Sequence, residues 1–229
     1  MPLILGLDAS IRKAGFCVVD TDAPPFTIVE RGRLYTTVAD GIPIQRLLKQ
    51  QKQIRELLER HSIDFVSMEA PYFGDGESER LYALNQFLHA VFLDRGTFVI
   101  AFPPQQLKKL AIPEKYSDEV HKAQMVAAAK QQYNLIGKPL TDDEADAMHA
   151  ARLGWLFYNW HFKKTLSEKD MHPLIWKAFD GKKVYKRGVR KGIEIYTGLI
   201  YRENDLFFDF KRVKERKCKI APLPEDKET

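Results

Sequence analysis

Four acidic residues stand out by their settings. Asp8 follows the apolar run Leu3 to Leu7, and Glu69 follows Ile63 to Met68, so two predicted strands each end on a carboxylate. If those strands lie side by side, the two carboxylates emerge together at one edge of a sheet. Asp143 and Asp146 are three residues apart in a helical segment, a spacing that brings Cβ atoms to within about 6 Å on one helix face. Carboxylates gathered in this way repel one another unless cations neutralise them, and an all-oxygen donor set suits Mg²⁺ or Mn²⁺. Zinc is not expected, because Cys17 and Cys218 are the only cysteines, too few for a zinc cluster or a disulfide framework. Each acid also has an ordinary explanation. Asp143 and Glu144 suit the first turn of a helix, where acids complement the dipole, and Asp8 suits the start of a turn. Glu69 and Asp146 fit such explanations poorly: Glu69 ends an apolar strand just before Pro71, and Asp146 lies a full turn inside its helix between Ala145 and Ala147.

The elements that must position these acids follow from periodicity. Leu3–Leu7 and Phe16–Val19 read as a hairpin, and a weaker third strand covers Phe26–Tyr35. Ile44, Leu47, Leu48, Ile54, Leu57 and Leu58 recur at helical spacing, and Leu81, Leu84, Leu88 and Val91 mark a second helix. Phe98–Phe102 is a short strand closed by Pro103 and Pro104, followed by Leu107–Leu110 and a helix predicted over Ser117–Tyr133, with Ser117 and Asp118 as its cap. The last core helix should start at Thr141, a capping residue, and run to about Phe162. Antiparallel strands followed by alternating helices and strands predict an α/β fold, a mixed sheet covered by helices.

From about Thr165 the pattern changes to alternation: Ile193, Ile195, Leu199 and Tyr201, a turn at Glu203–Asp205, then Leu206, Phe208 and Phe210. The expected organisation is a main domain over 1–164 and a small, basic, β-rich extension over 165–229. Charge supports the division. Residues 1–160 carry 18 Lys and Arg against 20 Asp and Glu, whereas residues 161–229 carry 18 against 11, so the basic character lies in the extension. Such a segment is suited to phosphate backbones, or it is simply a solubilising surface. No run approaches the roughly 18 apolar residues of a membrane span, and Asp8 interrupts the first apolar stretch too early for a signal peptide. An intracellular, cytoplasmic protein is expected.

On these residues the sequence resembles the RuvC-type Holliday junction resolvases of the RNase H-like nuclease superfamily. Ile4–Phe16 (ILGLDASIRKAGF) resembles that family's first strand, catalytic Asp and glycine-containing turn, with Ala9 and Ser10 departing from the usual Pro-Gly. Phe65–Phe73 (FVSMEAPYF) resembles the strand ending in the second acid, and Asp143–Ala151 (DEADAMHAA) resembles the terminal helix with two acids three apart. The resemblance implies an RNase H-like fold, with Asp8, Glu69, Asp143 and Asp146 as catalytic and metal-binding residues. It also implies that Lys108 and Lys122 lie near the scissile phosphate, and that Tyr72 or Phe73 stacks in an opened junction. For the lysines the alternative is solvated surface, and for the aromatics it is core packing.

The activity implied is cleavage of four-way DNA junctions by a homodimer, with two metal ions per site about 3.5 to 4 Å apart, giving 5′-phosphate and 3′-hydroxyl ends. In that layout Asp8 bridges both ions, Glu69 and Asp143 each hold one, and Asp146 completes the site. Three other readings stay open. A nuclease of the same fold would act on flaps, other branched DNA or structured RNA; a non-catalytic protein would bind junctions without cutting. An actin-like sugar kinase or ATPase would need Gly-rich phosphate loops, whereas Gly74 and Gly76 stand isolated among acids.

Overall fold

A computed structural model describes residues 2–22, 27–70, 78–102, 104–115, 121–180, 182–184, 194–196 and 199–201. Strands β1 (Leu3–Asp8), β2 (Lys13–Asp20) and β3 (Ile28–Tyr35) form an antiparallel meander. Helix α1 (Pro43–His61) then leads to β4 (Ile63–Glu69), which pairs parallel to β1. Helix α2 (Ser78–Asp94) crosses to β5 (Phe98–Phe102), parallel to β4. Helices α3 (Pro104–Ala111), α4 (Lys122–Gln132) and α5 (Asp142–His161) follow. The expected mixed sheet flanked by helices is therefore present.

Alternation along the strands decides what faces what. On β1, Leu5 and Leu7 join the core formed with α1 and α2, through Leu47, Ile54, Leu57, Leu84, Leu88 and Val91. Ile4 points the other way, into a second core built on α5 with Met148, Leu153 and Phe157. A strand places every second residue on one face, so Gly6 and Asp8 share the α5 face with Ile4. By the same rule Phe65, Ser67 and Glu69 of β4 face α5, while Val66 and Met68 face the α1/α2 core. Both sheet faces are covered, and the carboxylates emerge where α5 begins.

Helix α5 lies against the sheet almost backbone to backbone. A Cβ on Gly6 would stand 2.1 Å from the Ala147 carbonyl oxygen and 2.5 Å from the Ala151 nitrogen; one on Gly15 would stand 1.9 Å from the Asp143 carbonyl oxygen. At the other end Gly154 is opposed by Ser67, whose Cβ would be 2.6 Å from an added methyl. Small residues on both surfaces permit this approach, and Ala145, Ala147, Ala150 and Ala151 are fully buried in it. Thr141 starts α5 as expected, its Oγ1 accepting from the Glu144 N–H at 3.3 Å while Glu144 accepts from the Thr141 N–H at 3.1 Å.

Helix α4 is joined to α5 by two buried hydrogen bonds. The Tyr133 hydroxyl donates to the Met148 carbonyl at 2.7 Å, and His149 Nε2 lies 2.9 Å from the Met125 carbonyl. A carbonyl only accepts, so Nε2 carries the proton. Burial pushes His149 down to about 4, so the ring is neutral at physiological pH.

Beyond residue 164 the alternation did not reveal a helix, α6 (Pro173–Asp180), whose Met171 neighbour and own Ile175, Ala178 and Phe179 are buried in the α5 core. Phe179 packs edge-on against Phe157 with centroids 5.3 Å apart. Strands β6 (Lys182–Val184) and β7 (Glu194–Tyr196) pair with each other. Strand β8 (Leu199–Tyr201) instead joins the main sheet antiparallel to β5, giving the order β3-β2-β1-β4-β5-β8. The predicted turn at Glu203–Asp205 and the strand after it, and the Ser117–Asp118 cap, lie outside the described residues; α4 begins at Lys122.

Replacing Gly6 with alanine should push α5 off β1. Forced overpacking of this kind costs about 1–3 kcal/mol or more, a melting point lower by roughly 2–4 °C per kcal/mol for a chain of this size, read by calorimetry.

Candidate active site

One row of paired residues crosses the sheet beneath the start of α5. Arg33 of β3 pairs with Gly15 of β2, Gly15 pairs with Asp8 of β1, and Leu7 pairs with Met68, so Glu69 ends its strand beside Asp8. The bare Gly15 position is where the Asp143 backbone rests. The helix spacing then sets Asp146 one turn further along, above Asp8 and Glu69. Asp8, Glu69, Asp143 and Asp146 thus converge on one face, and each is half-buried.

Their electrostatics express that convergence. Burial, then the Glu69, Asp146 and Asp143 charges, raise Asp8 well above the usual carboxylate range against the pull of Lys122. Burial and Asp146 push Glu69 up to about 7, with Lys108 opposing. Burial pushes Asp146 up to about 6, opposed by Lys108 and Lys122 and reinforced by Asp142 and Asp143. Asp143 is raised by burial and Asp142, and held back by Arg33, Lys122 and Lys13. Lys108 and Lys122, expected beside the site, are both within its field. Lys122 also pairs with Asp142 at 2.7 Å, which raises its own proton affinity.

Among the described residues no group of three or more His, Cys, Asp or Glu side chains is closed enough to hold an ion as it stands. The donor set nevertheless fits a hard divalent cation. Four carboxylates, all oxygen donors, share a volume in which their charges penalise one another, and a cation there would relieve that penalty.

The sequence did not point to the cations on β3. Arg31 Nη1 donates to Glu144 at 2.6 Å, and its Nη2 donates to the Pro139 carbonyl at 3.2 Å. Arg33 Nη1 lies 3.8 Å from Asp143 Oδ2, and its guanidinium centre sits 5.0 Å from the Tyr35 ring centroid. Two arginines flanking Gly32 at alternate positions were the available signal, and on an edge strand that pattern reads as solvent-facing. Tyr72 and Phe73 lie outside the described residues.

Residues 4–152 match the family described as Crossover junction endodeoxyribonuclease RuvC. The chain is 28% identical over 157 residues to the crossover junction endodeoxyribonuclease RuvC of Prochlorococcus marinus strain MIT 9313, covering 66% of this chain and 97% of that one. It is 26% identical over 160 residues to that of Rhodopirellula baltica, covering 68% and 87%. Among solved structures, Thermus thermophilus RuvC in complex with a Holliday junction substrate aligns with a TM-score of 0.56 at 17% identity, over 71% of this chain and 97% of that one. A second Thermus thermophilus RuvC structure gives 0.57 over 69% and 95%. At that identity the structural match speaks for the fold.

The raised carboxylates predict how stability varies with pH. Glu69 and Asp146 hold protons more tightly in the folded chain than in the unfolded one, so their contribution to stability is full at low pH. It is lost as pH rises through about 6 for Asp146 and about 7 for Glu69. In EDTA, Glu69→Gln should therefore melt higher than the parent at about pH 8, and the difference should vanish near pH 4. Adding a divalent cation at the higher pH should raise the parent's melting point and leave the variant's nearly unchanged. Thermal melts across pH check this.

Proposed function

The chain belongs to the RuvC family of crossover junction endodeoxyribonucleases, and from that premise we propose that it resolves four-way DNA junctions by metal-dependent phosphodiester hydrolysis. The observation that carries this reading is the convergence of Asp8, Glu69, Asp143 and Asp146 on the α5 face, with charges that raise one another's proton affinity. The relatives named above supply the substrate class, four-way junctions.

In this reading the four carboxylates hold two Mg²⁺ or Mn²⁺ ions, with Asp8 central because Glu69, Asp146 and Asp143 all act on it. When bound, the ions supply activation of a water nucleophile and stabilise charge on the leaving 3′ oxygen. The chain's own residues do the rest. The backbones that carry Asp143 and Asp146 are fixed relative to Asp8 by the close contact between α5 and the sheet, so binding an ion calls for side-chain movement of the donors and not for movement of the helix. Lys108 on the Glu69 side and Lys122 on the Asp143 side neutralise the scissile phosphate and orient it over the acids. The products carry 5′-phosphate and 3′-hydroxyl ends.

Symmetric cleavage of a junction requires two such sites related by a two-fold axis, so the functional unit is a homodimer. Tyr72 or Phe73, three and four residues after the β4 acid in sequence, stacks on a base exposed at the junction centre, a contact worth roughly 1–3 kcal/mol.

We also propose that the chain divides functionally near residue 164, the segment beyond it gripping DNA arms through its basic residues. Because Ile175, Ala178 and Phe179 are buried against α5, truncation would damage the core. Neutralising Lys186, Arg187, Arg190 and Lys191 together is the cleaner test. In a variant whose melting point shows that it still folds, it should weaken junction binding and flatten its salt dependence.

The decisive experiment compares a labelled four-way junction, a linear duplex and a flap in Mg²⁺, Mn²⁺ and EDTA, with Asp146→Asn as control. Paired, symmetric nicks confined to the junction should appear with either metal. They should be lost in EDTA and fall by a factor of about 100 or more in the variant. Preferential flap cutting would instead point to a nuclease of other branched DNA, and binding without cutting to a non-catalytic junction binder.

A further inference from the structure

The two β3 arginines differ in how they are held. Arg31 is committed, bonded to the Glu144 carboxylate and the Pro139 carbonyl, and so braces the start of α5 against the sheet edge. Arg33 is held more loosely. At 3.8 Å its contact with Asp143 is an ion pair beyond hydrogen-bond reach, and its side chain is 29% exposed while resting by Tyr35. Its position is specific: it pairs with Gly15, the partner of Asp8, so it occupies the row of the catalytic acid two strands away, about 10 Å in backbone terms. Between the two, the Asp143 backbone rests on Gly15, so Arg33 borders the cluster on the outer side of Asp143.

We propose that Arg33 is a further DNA-binding residue of this nuclease, a phosphate ligand on the β3 side of the carboxylate cluster. This rests on the function proposed above. The fields on the acids grade the cations across the site: Lys108 acts on Glu69 and Asp146, Lys122 acts on Asp8, Asp143 and Asp146, and Arg33 and Lys13 act on Asp143. A strand laid across the acids carries phosphates at intervals of one nucleotide, so with Lys108 and Lys122 at the scissile phosphate, its neighbour calls for a further cation on the β3 flank. Arg33 is suited to it. A guanidinium presents a planar fork of donors that matches phosphate oxygens, and Tyr35 supports its face. Without DNA, Asp143 is its resting partner; with cations on the acids, Asp143 has another partner and the fork is released to the phosphate.

The test is equilibrium binding of the full-length protein to a labelled four-way junction in Ca²⁺, chosen as a divalent ion poor at supporting cleavage, across a salt series. Arg33→Ala should weaken binding several-fold at low salt and reduce the slope of log affinity against log salt by about 0.9, the loss of one phosphate contact. Arg33→Lys should keep most of that slope, and Arg31→Ala, which removes the brace, should lower the melting point and leave the slope intact. A folded Arg33→Ala protein with the parent's slope overturns the inference alone. If Arg33→Ala does not fold, Arg33→Gln takes its place with the same two outcomes. A parent protein that neither binds nor cuts junctions overturns the proposed function, and the inference with it.

Discussion

The contact between the backbone of α5 and the backbones of β1 and β2 governs the rest of the molecule. A metal-type cluster built from two strands and a helix needs the helix close enough for short Asp side chains to meet those of the strands. Ordinary side chains on both surfaces would hold the helix further from the sheet. Gly6 and Gly15 on the strands, with Ala147 and Ala151 on the helix, remove that spacer. The same small residues that look unremarkable as core filling therefore set the depth of the site.

That approach is electrostatically expensive. The cluster raises the proton affinity of all four acids, so at neutral pH the mutual repulsion of the carboxylates works against folding. The cost is offset locally by the cations around it and by the apolar cores on both sheet faces. Strain of this kind at a reactive centre is expected where the centre is built for charged ligands.

Much of this was legible in the sequence. Asp8 and Glu69 could be placed because each ends an apolar run, and strand ends are where a sheet delivers side chains to an edge. Asp146 could be placed because alanines flank it inside a helix. Arg33 could not: alternate cations around Gly32 look solvent-facing until α5 is seen to overhang β3. Helix α6 was hidden because eight residues give too short a period to read. The destination of β8 was hidden because its partners, Val99 to Ala101, lie about a hundred positions earlier, and local alternation says nothing about so distant a pairing.

The pairing of β8 with β5 bears on how the chain behaves while it is being made. In the order β3-β2-β1-β4-β5-β8, β5 is an outer strand until Leu199–Tyr201 has been synthesised. Through that interval its free amides and carbonyls, next to the apolar Phe98–Phe102 sequence, form a template for a neighbouring nascent chain. Here a late segment acts as a guard against misassembly of the part that carries the chemistry.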